Sequence, residues 1–452
     1  MLVHPLNSLV VFILVPHAVS FIDQTNVRVS NSHRFAAIAQ PCSEASPPGR
    51  PTPRFFSFLF DDTFQLLNSK TMGTYQVSRK RQFGPVYKSN IFFRPAVFAT
   101  DEASMADLSA EESRKNLDAF FPPHHKKLFG PQSLLVQSGE QHARLRRLIQ
   151  PTLSPAAVKS YQQVIDSSVA KFLQDLSRKC ASEYVPVVPE LRSFFISLVV
   201  QILLGDDALD NNKLVADLSL WSKGLLAPPL NFMPWSTAAR AMRARKRIAS
   251  RLETIIENKS TYGLLGRLVS YRDENGDKLS TGDVIDNVLT LISAGSDTTA
   301  SAVTSLIMIL SPEIKETIKA EPEKMLALLD KVLRVYPPAP FQVRLNKDEP
   351  LHVGGYLIPP NWLVVYGYAG ALFSESTEWT DLKDNASPSS SLAFGGGPRM
   401  CPGRWLASTV LMAYCRELVN LEWKLDPNQN LEQRYTPGLF PMDGLRLKFT
   451  LQ

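Results

Sequence analysis

The sequence is short of cysteine and contains no long apolar run. Its four cysteines are too few and too scattered for a disulfide framework, and no CxxC spacing indicates a zinc site. The basic residues form no dense run with interleaved aromatics, which argues against nucleic-acid binding. What remains is a globular chain of 452 residues, of which 44 % are hydrophobic and can fill a large core. Its net charge of +6 is a mild excess that suits a weakly acidic partner or an anionic membrane surface.

Residues 1–54 have the composition of a targeting presequence that ends in a Pro-rich linker. The apolar run at 9–15 matches the core of a signal peptide and is far shorter than the roughly 20 residues of a membrane-spanning helix. Residues 22–54 are rich in Ser, Pro and Ala, and basic residues outnumber the two acids. A signal peptide followed by such a stretch resembles a two-part plastid presequence, so the plastid is the expected location. The alternative is a short segment that associates with the endoplasmic reticulum membrane.

Residues 55–452 are predicted to form one mainly α-helical domain with small β-sheets, because no repeat or long low-complexity tract divides them. Apolar residues recur at three- and four-residue spacing, as on one face of a helix, in segments 158–178, 194–204, 242–256, 281–310 and 404–421. Short strand-like stretches occupy 86–98, 351–358 and 362–366.

Residues 394–403, FGGGPRMCPG, form a glycine-rich loop that contains Cys401 and leads into an amphipathic helix. Glycines allow positive φ and let the backbone approach a flat cofactor closely. The helix start behind Cys401 aims backbone N–H groups at the sulfur, and such donors stabilise a thiolate. Cys401 is therefore the predicted thiolate ligand, whereas Cys415, inside the following helix, is predicted to be an inert buried residue.

The apolar helix predicted over 287–304 is interrupted by the small and polar residues AGSDTT at 294–299. Gly costs about 1 kcal/mol in a helix interior, and Ser, Asp and Thr compete there for backbone hydrogen bonds. A functional site would account for this local violation. Small residues let the helix pass close over a flat cofactor, and an acid beside an alcohol, here Asp297 and Thr298, can hold water and relay protons. The alternative is a solvent-facing kink.

The cysteine loop resembles that of the cytochrome P450 family at Phe394, Gly395, Gly397, Arg399, Cys401 and Gly403. Segment 294–299 resembles the oxygen-binding motif of the same family. The resemblance implies a P450-like fold and a haem cofactor contacted by the loop residues, with Cys401 as the axial iron ligand. It also implies that Asp297 and Thr298 are the acid and the alcohol on the oxygen side. Residues 142–151 and the downstream PPAPFQVR and GGYLIPPNW segments look like the retinoid, sterol and triterpenoid hydroxylases of the family.

Two side chains on one predicted helix face are candidate partners for the haem carboxylates. His142 and Arg146 stand four residues apart, which places them on the same side of a helix. The family resemblance makes them, together with Arg344 and Arg399, candidates to bind the haem propionates, and Arg can bind a carboxylate through two parallel hydrogen bonds. For His142 alone, a surface histidine is the alternative.

One position departs from the family pattern. Residues 333–338, LRVYPP, look like the arginine end of the family's Glu-x-x-Arg motif, but Lys331 stands where Glu is expected. In the family this Glu and Arg form a buried ion pair, whereas Lys331 and Arg334 would be two cations, and a buried unpaired charge is costly. Asp330 could compensate only if the helix rotated by about a residue. The intervals 299–334 and 366–394 are also shorter than expected. Either the protein is a diverged or degenerate member, or exons are missing from the gene model; the second explanation is favoured.

The resulting hypothesis is a haem-thiolate monooxygenase that inserts one atom of O2 into an apolar substrate, with an isoprenoid favoured. Electrons must come from a separate donor, because no flavin or iron–sulfur domain fits in the chain. That donor would be of the ferredoxin type in a plastid, or a flavoprotein reductase at the endoplasmic reticulum, with a peripheral membrane contact allowed. Two alternatives stay open: a P450-like isomerase or lyase that needs no electrons, and an inactive relative or truncated gene model.

Overall fold

The computed structural model describes residues 46–49, 61–67, 74–205, 212–225, 227–258, 263–372, 392–435 and 438–450. Most of the predicted presequence, the boundary placed between residues 54 and 55, and most of the short interval 366–394 lie outside the described residues. Within these ranges the chain is mainly helical with four small sheets, as the sequence predicts.

The α-helices of the described chain follow one another in this order: α1 Thr63–Leu67, α2 Thr74–Phe83, α3 Glu102–Ser113, α4 Pro123–Phe129, α5 Gly139–Ile149, α6 Pro155–Lys159, α7 Gln162–Lys179, α8 Val188–Leu204, α9 Asn212–Leu225, α10 Thr237–Glu257, α11 Gly263–Ser270, α12 Thr281–Ile309, α13 Pro312–Ala320, α14 Met325–Val335, α15 Tyr368–Leu372 and α16 Arg404–Leu418.

The strands of the same ranges are β1 Val86–Ile91, β2 Arg94–Ala99, β3 Leu117–Ala119, β4 Val185–Pro186, β5 Gln342–Asn346, β6 Leu351–Val353, β7 Tyr356–Ile358, β8 Leu363–Tyr366, β9 Glu422–Leu425, β10 Gln433–Tyr435, β11 Leu439–Pro441 and β12 Arg446–Thr450.

Each of the five predicted helices is present, with shifted ends. Segments 281–310 and 404–421 correspond to α12 and α16. Segment 158–178 corresponds to α7, which starts later than predicted because the separate short helix α6 precedes it. Segment 194–204 is the second half of α8, whose first turn carries Pro189, a residue that suits a helix start.

The predicted strands are also present, but two of them are hairpins. Stretch 86–98 folds into β1 and β2, which pair antiparallel from Val86 opposite Ala99 to Ile91 opposite Arg94. Stretch 351–358 divides into β6 and β7, because Gly354 and Gly355 form the turn with φ of 56° and 84°. Both hairpins need positive φ at the turn, which an apolar strand pattern does not display.

The largest sheet is mixed and has the strand order β1-β2-β8-β5-β3. β2 and β8 are parallel, with Ala96 opposite Leu363 and Ala99 opposite Tyr366, although they lie far apart in the chain. The other neighbouring pairs are antiparallel. Successive side chains of β8 enter two different small cores, since strand residues alternate between the two faces of a sheet.

The large core surrounds α12. This helix begins with a capping box, in which the Ser280 hydroxyl accepts from the Asp283 N–H and the Asp283 carboxylate accepts from the Ser280 N–H. Its 29 residues span about 44 Å, and it packs against α8, α10, α14 and α16. The small and polar residues of 294–299 therefore lie in the middle of the domain. No helix in the described ranges is long and apolar enough to cross a membrane.

Candidate haem site

The glycines of the cysteine loop allow close packing. Gly395 has φ 77°, and a Cβ there would lie 3.1 Å from the Tyr368 hydroxyl. Gly397 has φ 61°, and a Cβ there would lie 2.9 Å from the Cβ of Ser109 on α3. A larger residue at either position would strain the backbone and push a neighbouring side chain away. The loop is thereby docked on α3.

Cys401 is the accessible cysteine among those that the structure describes. Cys180 and Cys415 are buried, whereas Cys401 is partly exposed although protein atoms surround most of it. The Cys401 N–H donates to the Phe394 carbonyl oxygen at 2.8 Å, and this bond closes the loop. Phe394 itself is half-buried and packs against the large core. The loop thus presents one sulfur to the space beside it.

Opposing effects act on the Cys401 thiol. Burial raises its pKa, while the backbone N–H of Gly403 and the guanidinium groups of Arg146 and Arg404 lower it. Gly403 is the N-cap of α16, so this N–H belongs to a helix start and favours negative charge on the sulfur. At Cys415 burial raises the pKa to about 12, which fits the inert buried residue that the sequence predicts.

A stripe of accessible residues runs along one face of the middle of α12, where most other positions are buried and Ser293 is partly exposed on a different face. Its members recur every three or four residues and so lie on one face: Leu291, Ala294, Gly295 and Thr298. The Thr298 hydroxyl donates to the Ala294 carbonyl oxygen at 2.6 Å, so its lone pairs face outward as acceptors. The stripe, which we call the α12 stripe, is small and mostly apolar.

Asp297 points away from the α12 stripe. Its carboxylate is buried, and its Oδ1 lies 3.1 Å from Arg192 Nε on α8. The Arg192 guanidinium in turn lies over the Phe440 ring of β11, 4.2 Å from its centroid. Burial raises the pKa of Asp297 from 3.8 to about 6, and the Arg192 charge opposes this shift. The acid can therefore exchange a proton close to neutral pH. Arg192 carries no sequence signal that would have singled it out.

The four predicted carboxylate partners come together on the side of α5 that faces the cysteine loop. His142 is buried, and burial together with the charges of Arg399, Arg146 and Arg344 lowers its pKa to about 3. His142 is thus a neutral buried imidazole and not a surface histidine. A cavity of about 430 Å³ opens here, lined by His142, Arg146 and residues of the loop.

Sequence reasoning missed the residue that joins two of these arginines. Glu112, at the end of α3, places its Oε1 2.8 Å from Arg344 Nε and 2.5 Å from Arg399 Nε. The Tyr366 hydroxyl donates to the Glu112 Oε2 at 3.1 Å. The carboxylate and both guanidinium groups are at least nine-tenths buried. Arg344 and Arg399 are 55 residues apart in the chain (399 − 344), so no local pattern marks this cluster.

The residues present fit a haem. One partly exposed cysteine lies at a helix start, the arginines around His142 can hold two carboxylates, and the α12 stripe can lie against a flat ring. When bound, a haem with a thiolate ligand supplies the redox chemistry that activates O2. Cys401 would hold the iron, and Arg146, Arg344, Arg399 and His142 would hold the propionate side.

The departure at Lys331 is resolved differently from the expectation of two unpaired cations. Arg334 Nε lies 2.7 Å from Asp330 Oδ2, one helical turn earlier, so the arginine has a carboxylate partner. The Asp330 side chain is 8 % exposed, but that of Arg334 is 57 % exposed. The expected buried network is therefore replaced by an ion pair that reaches solvent.

A mainly helical domain with a cysteine at the start of one helix, small residues along another and arginines for two carboxylates defines a haem-thiolate protein. The family model for cytochrome P450 matches residues 47–449. A cytochrome P450 120 of Synechocystis is 27 % identical over 422 residues, covering 85 % of this chain and 94 % of that protein. Abscisic acid 8'-hydroxylase 1 of Oryza sativa is 23 % identical, covering 86 % of this chain and 88 % of that enzyme.

The solved structure of retinoic acid-bound cyanobacterial CYP120A1 superposes with a TM-score of 0.77 at 25 % identity, covering 90 % of this chain and 99 % of that one. The chain belongs to the cytochrome P450 family. It is a haem-thiolate monooxygenase that uses O2 and a separate electron donor, as the sequence predicts.

Proposed function

We propose that the protein hydroxylates an apolar isoprenoid. The observation that carries this proposal is the α12 stripe, which exposes Leu291, Ala294 and Gly295 beside the Thr298 hydroxyl and offers no charged group to a substrate. The named ligands of two relatives, abscisic acid and retinoic acid, are isoprenoid molecules that combine a large apolar body with one carboxylate. Burial of such a body against small apolar side chains provides most of the binding free energy.

The protein's own groups divide the chemical work. Thr298 offers lone pairs on the accessible side of α12, and Asp297 holds or releases a proton on the buried side, with a pKa of about 6. Arg192 fixes the Asp297 carboxylate from α8. In this proposal Asp297 is the proton source and Thr298 the acceptor that orders water on the accessible side, while the apolar stripe limits access of bulk water.

Spectral titration of the haem-loaded protein tests the substrate class, with retinoic acid, abscisic acid, a sterol and a straight-chain fatty acid as probes. We expect the isoprenoids to shift the haem absorbance and the fatty acid to bind at least about tenfold more weakly. Ala294→Trp should block binding, because it fills the α12 stripe. Ala181→Trp, in the turn after α7, is the matched control and should bind normally. Preferential binding of the fatty acid would refute the proposal.

The proposed electron donor is an acidic ferredoxin-type protein. The rim of the cavity beside the cysteine loop carries Arg146, Arg147 and Arg404, a positive surface that suits an acidic partner. The Arg147 side chain is 50 % exposed and is ion-paired with Asp273 and Asp277, so a change there does not alter the predicted haem-carboxylate partners. Charge complementarity of this kind raises the association rate and weakens with salt.

Stopped-flow reduction by a plant-type ferredoxin and by a flavoprotein reductase compares the two donors. Arg147→Glu should slow reduction by ferredoxin about tenfold at low salt and leave haem content unchanged. Arg178→Glu on α7, where the side chain is 65 % exposed, is the control. Faster reduction by the flavoprotein, with no effect of Arg147→Glu, would favour the alternative donor.

A peripheral membrane contact is proposed for the segment between α9 and α10. Phe232 and Trp235 are 73 % and 76 % exposed there, and the exposed Arg240 and Arg243 follow on α10. Aromatic side chains beside basic ones suit an anionic lipid surface. Replacing both aromatics with Ser should reduce co-sedimentation with anionic vesicles, whereas replacing the exposed Leu326 and Leu431 with Ser should not. Equal sedimentation of both variants would contradict this contact.

The proposed location is the plastid, supported by the composition of residues 1–54. Fusing these residues to a fluorescent protein in an alga with complex plastids should direct it to the plastid. A fusion that retains only residues 1–20 should stop in the secretory pathway, and labelling of the endoplasmic reticulum by both fusions would favour the alternative location.

A further inference from the structure

Glu112 reaches the haem site because α3 docks closely on the cysteine loop. Ser109 and Glu112 lie three residues apart on one face of α3. Gly397 has no Cβ, so Ser109 can pack against the loop and bring Glu112 to Arg399. The Glu112 carboxylate on α3 therefore contacts both Arg399 of the cysteine loop and Arg344 of β5.

The contacts of both arginines leave them little freedom. Arg344 donates to Glu112 and makes two further hydrogen bonds. Its Nη1 donates to the carbonyl oxygen of the neighbouring Val343 and its Nη2 donates to Gln342 Oε1, both at 2.9 Å. Arg399 donates from NH2 to the Gln137 carbonyl oxygen at 2.8 Å. Because the guanidinium group is planar and rigid, these contacts fix which N–H groups still face the site.

The charges of the predicted carboxylate partners and Glu112 add up to a surplus of two. Two further arginines line the cavity and are not counted, because Arg147 is paired with Asp273 and Arg404 lies near the Cys401 thiol. Arg146, Arg344 and Arg399 contribute three positive charges, His142 is neutral with a pKa of about 3, and Glu112 contributes one negative charge (3 − 1 = 2). The positive charge acts on the arginines themselves, since burial and the charge of Arg344 lower the pKa of Arg399 to about 10. A haem carries two propionates, so the surplus matches the charge of its carboxylates.

We propose that Glu112 is a positioning residue for the haem carboxylates, which holds Arg344 and Arg399 in place and removes one of the three positive charges of the site. Without Glu112, two buried guanidinium groups would face each other with no anion between them, and the bound haem would leave one positive charge uncompensated. The inference rests on haem binding, which family membership establishes, and is independent of the substrate proposed above.

Two variants of the haem-loaded protein distinguish the two effects of Glu112, which are its contacts with both arginines and its negative charge. Glu112→Asp keeps the charge but shortens the side chain, so it cannot reach both arginines. Haem transfer to apomyoglobin should be roughly tenfold faster, because a buried hydrogen bond to a charged group is weakened, while the midpoint potential of the iron stays unchanged. Glu112→Gln also removes the charge. It should release haem faster and shift the potential to more positive values, since uncompensated positive charge favours the reduced state.

The matched control is Glu111→Gln. Glu111 lies next to Glu112 on α3 but contacts Arg114 and Asn116 instead of the site, so release rate and potential should both equal those of the parent. Unchanged release in Glu112→Asp overturns the proposal. So does slower release in Glu112→Gln, which would show that Glu112 competes with the propionates. Faster release with an unchanged potential in Glu112→Gln would reduce Glu112 to a structural residue. If Glu112→Gln does not fold, the release rate of Glu112→Asp decides.

Discussion

The middle of α12 and the last turn of α14 depart from ordinary patterns in opposite ways. In α12, Gly295 interrupts a long helix, and Ser296 and Thr298 donate to their own backbone at the Ile292 and Ala294 carbonyl oxygens. The Gly alone costs about 1 kcal/mol. The family motif is kept there at the expense of the helix.

In α14 the helix is regular and the family motif is not kept. Asp330 and Arg334 form an i,i+4 pair, and Arg334 stands in the last turn, where a cation is favoured. The comparison teaches that a broken local rule in a buried helix marks a site, whereas a broken family rule beside an exposed arginine can be absorbed by a neighbouring residue. Changes on the haem side should therefore have large effects and changes in α14 small ones.

The largest effect is expected at Cys401. Cys401→Ala should abolish thiolate ligation, because it removes the sulfur of the one partly exposed cysteine among those described, which lies beside the α16 start. The reduced-CO spectrum of the purified protein measures this directly. Cys415→Ala should keep the parent spectrum, since that residue is fully buried in α16. A thiolate-type spectrum in the Cys401 variant would mean that another residue holds the iron.

Thr298→Ala should keep the haem, but its electron consumption should no longer be coupled to product formation. Removing the hydroxyl from the α12 stripe takes away the acceptor that orders protons, and product formed per electron should fall on the order of one hundredfold, with hydrogen peroxide as by-product. Parallel measurement of electron consumption, product and peroxide checks this. Thr299→Ala, at the neighbouring buried position, is the control. Equal coupling in the Thr298 variant and the parent would exclude the relay role.

Asp297 gives this region a pH dependence. Its pKa rises from 3.8 to about 6 on folding, so the folded protein binds the proton more tightly than the unfolded chain. The free energy of unfolding contributed by this group therefore falls as pH rises from about 4 to about 6 and is constant above that range. The free energy of unfolding, measured with denaturant at several pH values, should fall more steeply with pH in the parent than in Asp297→Asn across this window. Parallel curves would place the titration elsewhere.

The smallest effect is expected for Lys331→Glu, which restores the family pattern. Because the Arg334 side chain is 57 % exposed, a new ion pair is worth at most about 1 kcal/mol, and it would compete with Asp330 for the same arginine. The melting temperature should move little and the haem-to-protein ratio should stay the same. A gain of several degrees together with higher haem content would show that α14 does contain a buried network, and the contrast between the two regions would disappear.

Local chemistry was predictable from the sequence, and long-range pairing was not. The cysteine loop and the acid–alcohol pair are each contained in ten residues or fewer, so the hypothesis for each could be drawn from neighbouring positions. The position of His142 and Arg146 on one helix face could likewise be predicted from their four-residue spacing. Glu112 and Arg192 look like ordinary charges at the surface of amphipathic helices. Only the folded chain shows that α3 packs on the cysteine loop, which buries Glu112, and that α8 packs on α12, which brings Arg192 to the buried Asp297.

Family knowledge also misled at one point. Asp330 stands one turn before Arg334, and helical spacing alone indicates an ion pair between them. The expected motif predicted two cations and allowed Asp330 to compensate only if the helix rotated by about a residue, whereas the ion pair forms at ordinary i,i+4 spacing.

The parallel pairing of β2 with β8 has a consequence for how the chain is made. The β1–β2 hairpin is complete once residue 99 has left the ribosome, yet the strand that covers its second edge, β8, begins only at Leu363. Until then β2 presents unpaired backbone groups that can pair with another chain. Closing so long a loop is also slow. During most of its synthesis, the nascent protein therefore carries an unpaired strand edge. We expect its yield in cells to depend on how well this edge is protected from pairing with other chains.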